Sequence, residues 1–211
     1  MDDPFDLLGK KNLEGLKAVL SANPSLARMR AASGASLLAW AHYSGQPDAT
    51  SIIRPHIGAL DPYDAIIVGD IGAVREALDG GWDASERAPD GFTPLALAAF
   101  FRQADIFDLL LPLTKDLNAQ STNPQQVAAL HAAVAQRQPN MVQDLLRAGA
   151  DPNLKQADGV TALHSAAFHG DAAIAGLLLL FGADLATTND KGETAADLAR
   201  SQGHDWLAER L

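Results

Sequence analysis

The sequence predicts an all-α fold, a solenoid in which one two-helix unit recurs along the chain. Three observations carry this expectation. The segment Gly159 to Lys191, GVTALHSAAFHGDAAIAGLLLLFGADLATTNDK, reads as a short apolar helix closed at Gly170 and a second helix, Asp171 to Phe181. The second helix stops at Gly182-Ala183-Asp184, because glycine takes the left-handed C-cap conformation without strain. The other segments read as better or worse copies of this unit. The composition agrees: alanine and leucine dominate while aromatic residues are only 6%, so small side chains let short helices pack closely. With 47% hydrophobic residues in 211 and no Gly/Ser-rich or Pro-rich linker, residues 1–211 read as a single continuous domain.

The motif Asp158-Gly159-Val160-Thr161-Ala162-Leu163-His164-Ser165-Ala166-Ala167-Phe168-His169-Gly170, followed by Leu178-Leu179 and Gly182-Ala183-Asp184, resembles the ankyrin repeat, whose period is 33 residues. It departs from the family opening in having Ala162 where proline is usual. Anchoring each copy on the motif leucine places equivalents at Pro4, Leu38, Pro62, Leu95, Leu130, Leu163 and Ala196, with steps of 34, 24, 33, 35, 33 and 33. The resemblance covers the whole chain as about seven helix-turn-helix copies, bacterial in type, with short β-hairpin fingers.

Taken in order, residues 1–34 read as an N-terminal cap copy. Pro4-Phe5-Asp6-Leu7-Leu8 begins one helix, and Leu13, Leu16, Val19 and Leu20 form the stripe of the next. Lys10, Lys11 and Lys17 suit the polar outer face of a terminal repeat. The short copy 35–60 contains Trp40 at a position read as core, and its second helix, from Asp48, is expected to end early at Pro55. The 24-residue step leaves no room for a finger, so Leu60-Asp61-Pro62 leads directly into the copy 61–91. The copy 92–126 opens with Asp90-Gly91-Phe92-Thr93-Pro94-Leu95, where proline's missing donor costs nothing at a helix start. After it, the 35-residue step carries a longer finger through Asn123 and Pro124. Copies 127–159 and 160–192 are regular, and 193–211 reads as a C-terminal cap, with Ala196 replacing the leucine and Asp205, Glu209 and Arg210 exposed.

The net charge of -10 argues against nucleic acid as a partner, since phosphate binding needs clustered Lys and Arg. Half of that charge lies in residues 62–91, where seven acids face two bases; residues 1–34 hold five bases and four acids. This acidic stretch reads as a solvated face, with a docking surface for a basic partner as the alternative. The absence of cysteine excludes disulfides and thiolate sites. The acidic start, Met1-Asp2-Asp3-Pro4-Phe5, lacks the pattern of a secretory signal, and the expected location is the cytoplasm. The longest apolar run, Ala172 to Ala183, falls short of the roughly 20 residues a membrane span needs.

No catalytic, cofactor or metal site is read from the sequence. His131 and His164 share one motif position, where the resemblance implies a hydrogen bond to the neighbouring turn, and His204 likewise reads as structural. No histidine pair has the i, i+4 spacing of a helical zinc site, and no nucleophile elbow or phosphate-binding glycine loop occurs. The carboxylates fall mainly at turns and caps, where nothing separates a pair of pKa values.

What the resemblance implies is a concave groove lined by fingers and first helices, binding a partner protein. Residues three before and five or six after the motif leucine face that groove; the candidates are Tyr43, Ile67, Phe92, Phe100, Phe101, Val127, Gln136, Val160, Phe168 and His169. Phe100-Phe101-Arg102 stands where the family carries polar residues and then glycine, and adjacent exposed phenylalanines would mark a partner site. The expected protein is a monomeric, non-catalytic binding module. Two alternatives remain: an inhibitor or immunity-type protein that blocks one enzyme, and a small-ligand protein with a pocket at the junction of the second and third copies. Stability in repeat arrays is nearly a sum of unit and neighbour terms, so the fingerless junction from Pro55 to Pro62 should be the weakest step. Limited proteolysis is expected to cut there first; initial cleavage at any other loop would contradict this.

Overall fold

The structure, a computed structural model, describes residues 2–211. The chain divides into two compact units, Met1–Trp82 with Ala88–Asp90, and Asp83–Arg87 with Gly91–Leu211. Among the described residues the only regular elements are helices.

In the first unit the α-helices are α1 (Pro4–Gly9), α2 (Leu13–Ala22), α3 (Leu37–Tyr43), α4 (Thr50–Ile53), α5 (Pro62–Val68) and α6 (Ile71–Asp79). Each long enough to need an N-cap has one written into the sequence. Asp3, Asn12, Ser36, Asp61 and Asp70 each accept a hydrogen bond from a backbone N–H of the first turn, satisfying donors that the helix itself leaves unpaired. Helix α4 stops at Ile53 and the chain tightens into a 3-10 turn over Arg54–His56, as Pro55 dictates. Pro62 opens α5 directly after its cap, as the short step requires. Helix α1 packs on α2 and α3, α3 on α4 and α5, and α5 on α6. Leu8, Leu16, Leu20, Leu37, Leu38 and Ile53 close the core at zero exposure.

The junction at 54–60 is tied down by cations. The Arg28 guanidinium donates to the Ile57 carbonyl, and Arg54 Nη1 donates to Gly58 O at 2.6 Å. Trp40, expected in the core, is instead 36% exposed. It leaves α3 on the side that meets Phe5, edge-on at 5.9 Å between ring centroids, so the indole covers a neighbouring ring rather than filling the interior.

The second unit contains α7 (Pro94–Phe100), α8 (Ala104–Leu110), α9 (Ala129–Ala135), α10 (Pro139–Arg147), α11 (Ala162–Phe168), α12 (Ala172–Leu180), α13 (Ala195–Ser201) and α14 (Asp205–Ala208). The seven-residue helices α7, α9, α11 and α13 pack in series, each paired with the helix that follows it. Side-chain bonds at both ends show that the series is parallel. At the N-terminal ends, His131 of α9 bonds Leu154 O at 2.9 Å and His164 of α11 bonds Glu193 O at 3.0 Å. At the C-terminal ends, Arg102 Nε donates to Gln136 Oε1 and Arg137 Nε to Asp171 Oδ2, both at 3.2 Å.

The two imidazoles use both ring nitrogens. Nδ1 accepts the N–H of Ala128 or Thr161, the residue that starts the helix, while Nε2 reaches the next loop. Burial holds both rings below the usual histidine range, so they are neutral at pH 7. A second ladder joins the exits of the following helices. Asn118 Oδ1 accepts from Asp151 N, and Asn153 Oδ1 from Asp184 N, each at 2.8 Å.

The expected β-hairpin fingers are reduced to isolated antiparallel bridges, Arg30 with Ser36, Lys155 with Thr161 and Thr188 with Thr194; no strand occurs among the described residues. The reason is local: Ser36, Thr161 and Thr194 are also the N-caps of α3, α11 and α13, so the chain turns into a helix before a second pair can form. Successive loops bond to each other instead. Thr122 N donates to Gly91 O, Ala157 N to Gln125 O and Asp190 N to Asp158 O.

His164 is 1% exposed, and removing it strands a buried N–H and a loop carbonyl together. Replacing it with alanine is expected to cost about 2–4 kcal/mol, read as a shift in the urea midpoint; a change under about 0.5 kcal/mol would contradict the role assigned to the ring.

Candidate interaction surface

The sequence-selected residues fall into separate groups. In the second unit, Phe92, Val127 and Val160 each immediately precede the N-cap of α7, α9 or α11 and are half-buried. Phe100, Phe101, Gln136, Phe168 and His169 occupy the opposite ends of the same helices. A seven-residue helix rises about 10 Å, so these are two rows on one layer rather than one cluster.

The C-terminal row is the more open. Phe100 is 38% exposed and Phe168 43%. Phe100 meets Phe101 edge-on at 5.1 Å, and Phe168 meets His169 at 5.3 Å. Phe101 and Gln136 are half-buried, and His169 is exposed. Both exposed rings sit at the end of an alanine-rich helix whose buried face is already supplied by smaller residues: Leu95, Ala98 and Ala99 in α7, and Leu163, Ala166 and Ala167 in α11.

In the first unit the two candidates behave differently. Tyr43 is half-buried and its hydroxyl donates to Asp90 Oδ2 at 2.8 Å; burial, then the Asp90 charge, pushes the phenol well above its usual range. Ile67 is 2% exposed and offers no surface. In α5 the stripe Asp64-Ala65-Ile66-Ile67 is buried as a block, because the helix is covered on the α3 side and on the α6 side. Counting from the leucine position therefore overestimated what this short copy exposes.

From the sequence Arg102 stands out only as a departure from the motif, and neither Arg137 nor the bonds both arginines make to the next copy are singled out. Arg102 and Arg137 take left-handed backbone with φ 58° and 54°, where the copies after them have Gly170 and Gly203 at 66° and 78°. A non-glycine residue there costs of order 1 kcal/mol. The strain places each guanidinium on the surface beside the aromatic row, bonded to the next copy. The signal was available, since arginine stands where the motif has glycine. Gly170 cannot be exchanged in the same way: a Cβ built on it would lie 2.7 Å from the His204 ring.

Another apolar feature lies on the paired helices. Helix α12, AAIAGLLLL, carries no charge, and Leu180 is 78% exposed where α10 has Arg147. Among the described residues no group of three His, Asp or Glu is placed to hold a metal ion, and no helix is long and apolar enough to cross a membrane.

A series of parallel short helices, each paired with a second helix and joined to the next by bonds about one repeat apart in sequence, defines a helix-pair repeat protein. Residues 130–211 match the family described as ankyrin repeats (3 copies). Over these residues the chain belongs to the ankyrin repeat family. It is 39% identical over 100 residues to protein PhlB of Serratia liquefaciens, which covers 47% of this chain and 44% of that protein. It is 30% identical over 162 residues to the nuclear factor NF-kappa-B p105 subunit of Gallus gallus, covering 74% of this chain and 15% of the subunit. It is also 36% identical over 85 residues to protein phosphatase 1 regulatory subunit 27 of Homo sapiens, covering 40% of this chain and 55% of that protein. The chain thus spans only part of each of these relatives. Ankyrin repeats are generally protein–protein interaction modules.

The αL positions make a paired prediction. Arg102→Gly relieves backbone strain and loses one exposed bond, so stability should stay unchanged or rise by up to about 1 kcal/mol. Gly170→Ala should lower it by more than about 1 kcal/mol. Thermal melts of both variants decide; destabilisation by Arg102→Gly would show that the guanidinium bond outweighs the strain.

Proposed function

We propose that this chain is a non-catalytic protein-binding module whose partner docks across the C-terminal ends of α7, α9 and α11, with Phe100 and Phe168 as anchors. The observation that carries the reading is their exposure: two phenylalanines in one parallel layer, each a third or more open to solvent and each beyond the residues that close the core of its helix. Phe101, Gln136 and His169 flank them, and Phe92, Val127 and Val160 extend the contact along the opposite row. Aromatic residues are enriched at the energetic centres of protein interfaces, and arginines beside them suit the polar rim.

The same reading takes the chain as seven copies of one repeat, acting as a monomer in the cytoplasm without nucleic acid. The recurrence of the motif anchor and the net charge of -10 support it. Its relation to the ankyrin repeat family supports a binding role rather than an enzymatic one, since function in such folds resides in surface residues chosen independently of the scaffold.

The test is the double variant Phe100→Ala, Phe168→Ala, compared with the unaltered protein in a melting curve and in a capture assay against proteins of the source cell. Stability is expected to fall by no more than about 1 kcal/mol per site, against 3 to 5 for a core phenylalanine. Capture of a specific partner is expected to weaken by a factor of about thirty, which corresponds to roughly 2 kcal/mol of lost anchoring. Undiminished capture by the double variant would place the interface elsewhere.

A further inference from the structure

The two units fasten their first-helix layers with chemically different bolts. In the second unit the bolts are His131 and His164, both neutral and buried. In the first unit the histidine position of the motif is held by Phe5, Ala39 and Tyr63, and a carboxylate takes over. Asp64, on α5, is 5% exposed. Its Oδ1 accepts from the Ser36 hydroxyl at 2.5 Å, and Ser36 Oγ in turn accepts from Ala39 N as the N-cap of α3. A single carboxyl thereby joins the start of α3 to the first turn of α5.

The groups around it are mostly of like sign. Asp61 caps the same helix and accepts Asp64 N at 2.8 Å. Asp90, from the segment 88–90, receives the Tyr43 hydroxyl of α3. Arg30, from the loop before α3, is the cation of the group, and it is paired with Asp61 at 2.6 Å. Tyr43 is uncharged. Helix α6, the other neighbour of α5, carries Arg75, Glu76 and Asp79, all exposed, and Asp70 at its cap, which accepts Ala73 N. His42 of α3 is engaged with Thr50 at 2.8 Å.

We propose that Asp64, buried beside Asp61, makes the α3–α5 contact pH-responsive: neutralising the carboxyl relieves a buried charge among like charges and stabilises this unit, whereas the imidazole bolts of the second unit require neutral rings, so acidification strengthens one unit and weakens the other. Burial first, then the charge of Asp61, raises the Asp64 carboxyl from 3.8 to about 6; the Ser36 bond and Arg30 act against this, and Asp90 adds to it. A group raised in the folded state contributes stability that is full below its unfolded value, near 4, and is lost as pH rises through about 6. His131 and His164 are lowered by burial, so their contribution is present above the unfolded value of 6.5 and is lost as pH falls below it. The windows overlap between about pH 4 and 6 with opposite slopes.

The experiment is hydrogen exchange on the whole chain at pH 5 and pH 8, corrected for intrinsic exchange rates, comparing the unaltered protein with Asp64→Asn. Asparagine keeps an acceptor for Ser36 and removes the titration. In peptides covering α3 and α5, the protection of the variant relative to the unaltered protein is expected to rise about tenfold from pH 5 to pH 8; taking the ratio removes the response of His42, which has the opposite sense. Peptides covering α9 and α11 should lose protection on acidification equally in both proteins. A ratio that does not change with pH overturns the assignment.

Should Asp64→Asn fail to fold, Asp61→Asn provides the second arm, because asparagine still caps α5 while a neighbouring negative charge is lost. A carbon-detected titration of the Asp64 carboxyl is then expected to move to lower pH in Asp61→Asn. A midpoint near 4 in the unaltered protein, or no movement in the variant, also overturns it.

Discussion

Everything in this chain depends on bonds that cross from one helix pair to the next on the loop side of the stack. A seven-residue helix has two turns, too few to be stable in water or to close a core by itself. Its partner helix covers one side only. The imidazoles of His131 and His164 fix the spacing and direction of successive copies, because each ring ties the first turn of its own helix to a carbonyl of the loop that leads into the next copy. Apolar contact between the helices then supplies most of the stabilisation, but it is non-directional. The polar bolts select the parallel stacking.

Where histidine is missing, the chain uses other chemistry for the same task. Ser36 and Asp64 join α3 to α5, Arg30 reaches Asp61, and Asn118 and Asn153 hand their side-chain oxygens to the next loop. The αL arginines form a further set on the opposite end, bonded to Gln136 and Asp171. A helix-pair repeat therefore tolerates wide change at any one position, provided some donor and acceptor meet across the step.

The legibility of the fold follows from this. Helix starts were readable because the caps are local: Thr93-Pro94, Asp61-Pro62 and Asp171 announce themselves within four residues. The role of His131 and His164 was readable through the resemblance. The asparagine and carboxylate bolts were not, since Asn118 finds its acceptor role 33 residues on and Asp64 its donor 28 residues back, with no local signal for either. The misreadings share a cause. Trp40 was placed in the core and Ile67 on the surface by counting from the motif leucine, yet both lie in the copies flanking the 24-residue step, where packing around α3 and α5 departs from the regular register. Fingers were expected from the resemblance, but an N-cap at Ser36, Thr161 or Thr194 ends each pairing after one bridge. Of the candidate surface, the exposed row at Phe100 and Phe168 followed from position, and the arginines beside it stand where the motif has glycine, but their strained backbone is seen only in the dihedral angles.

The reach of these bolts has a kinetic consequence. His131 bonds 23 residues ahead, His164 29, Arg102 34, Arg137 34 and Ser36 28, so assembling each step closes a loop of modest length. Loop-closure entropy changes little from one step to the next, and no step waits for the chain termini to meet. Folding can then start at whichever copy has the best local pairing and spread outward by nearest neighbours. The regular copies around α9 and α11, with both imidazole bolts in place, are the natural nucleus. The 24-residue step, where Tyr43 must reach 47 residues on to Asp90, is where propagation slows.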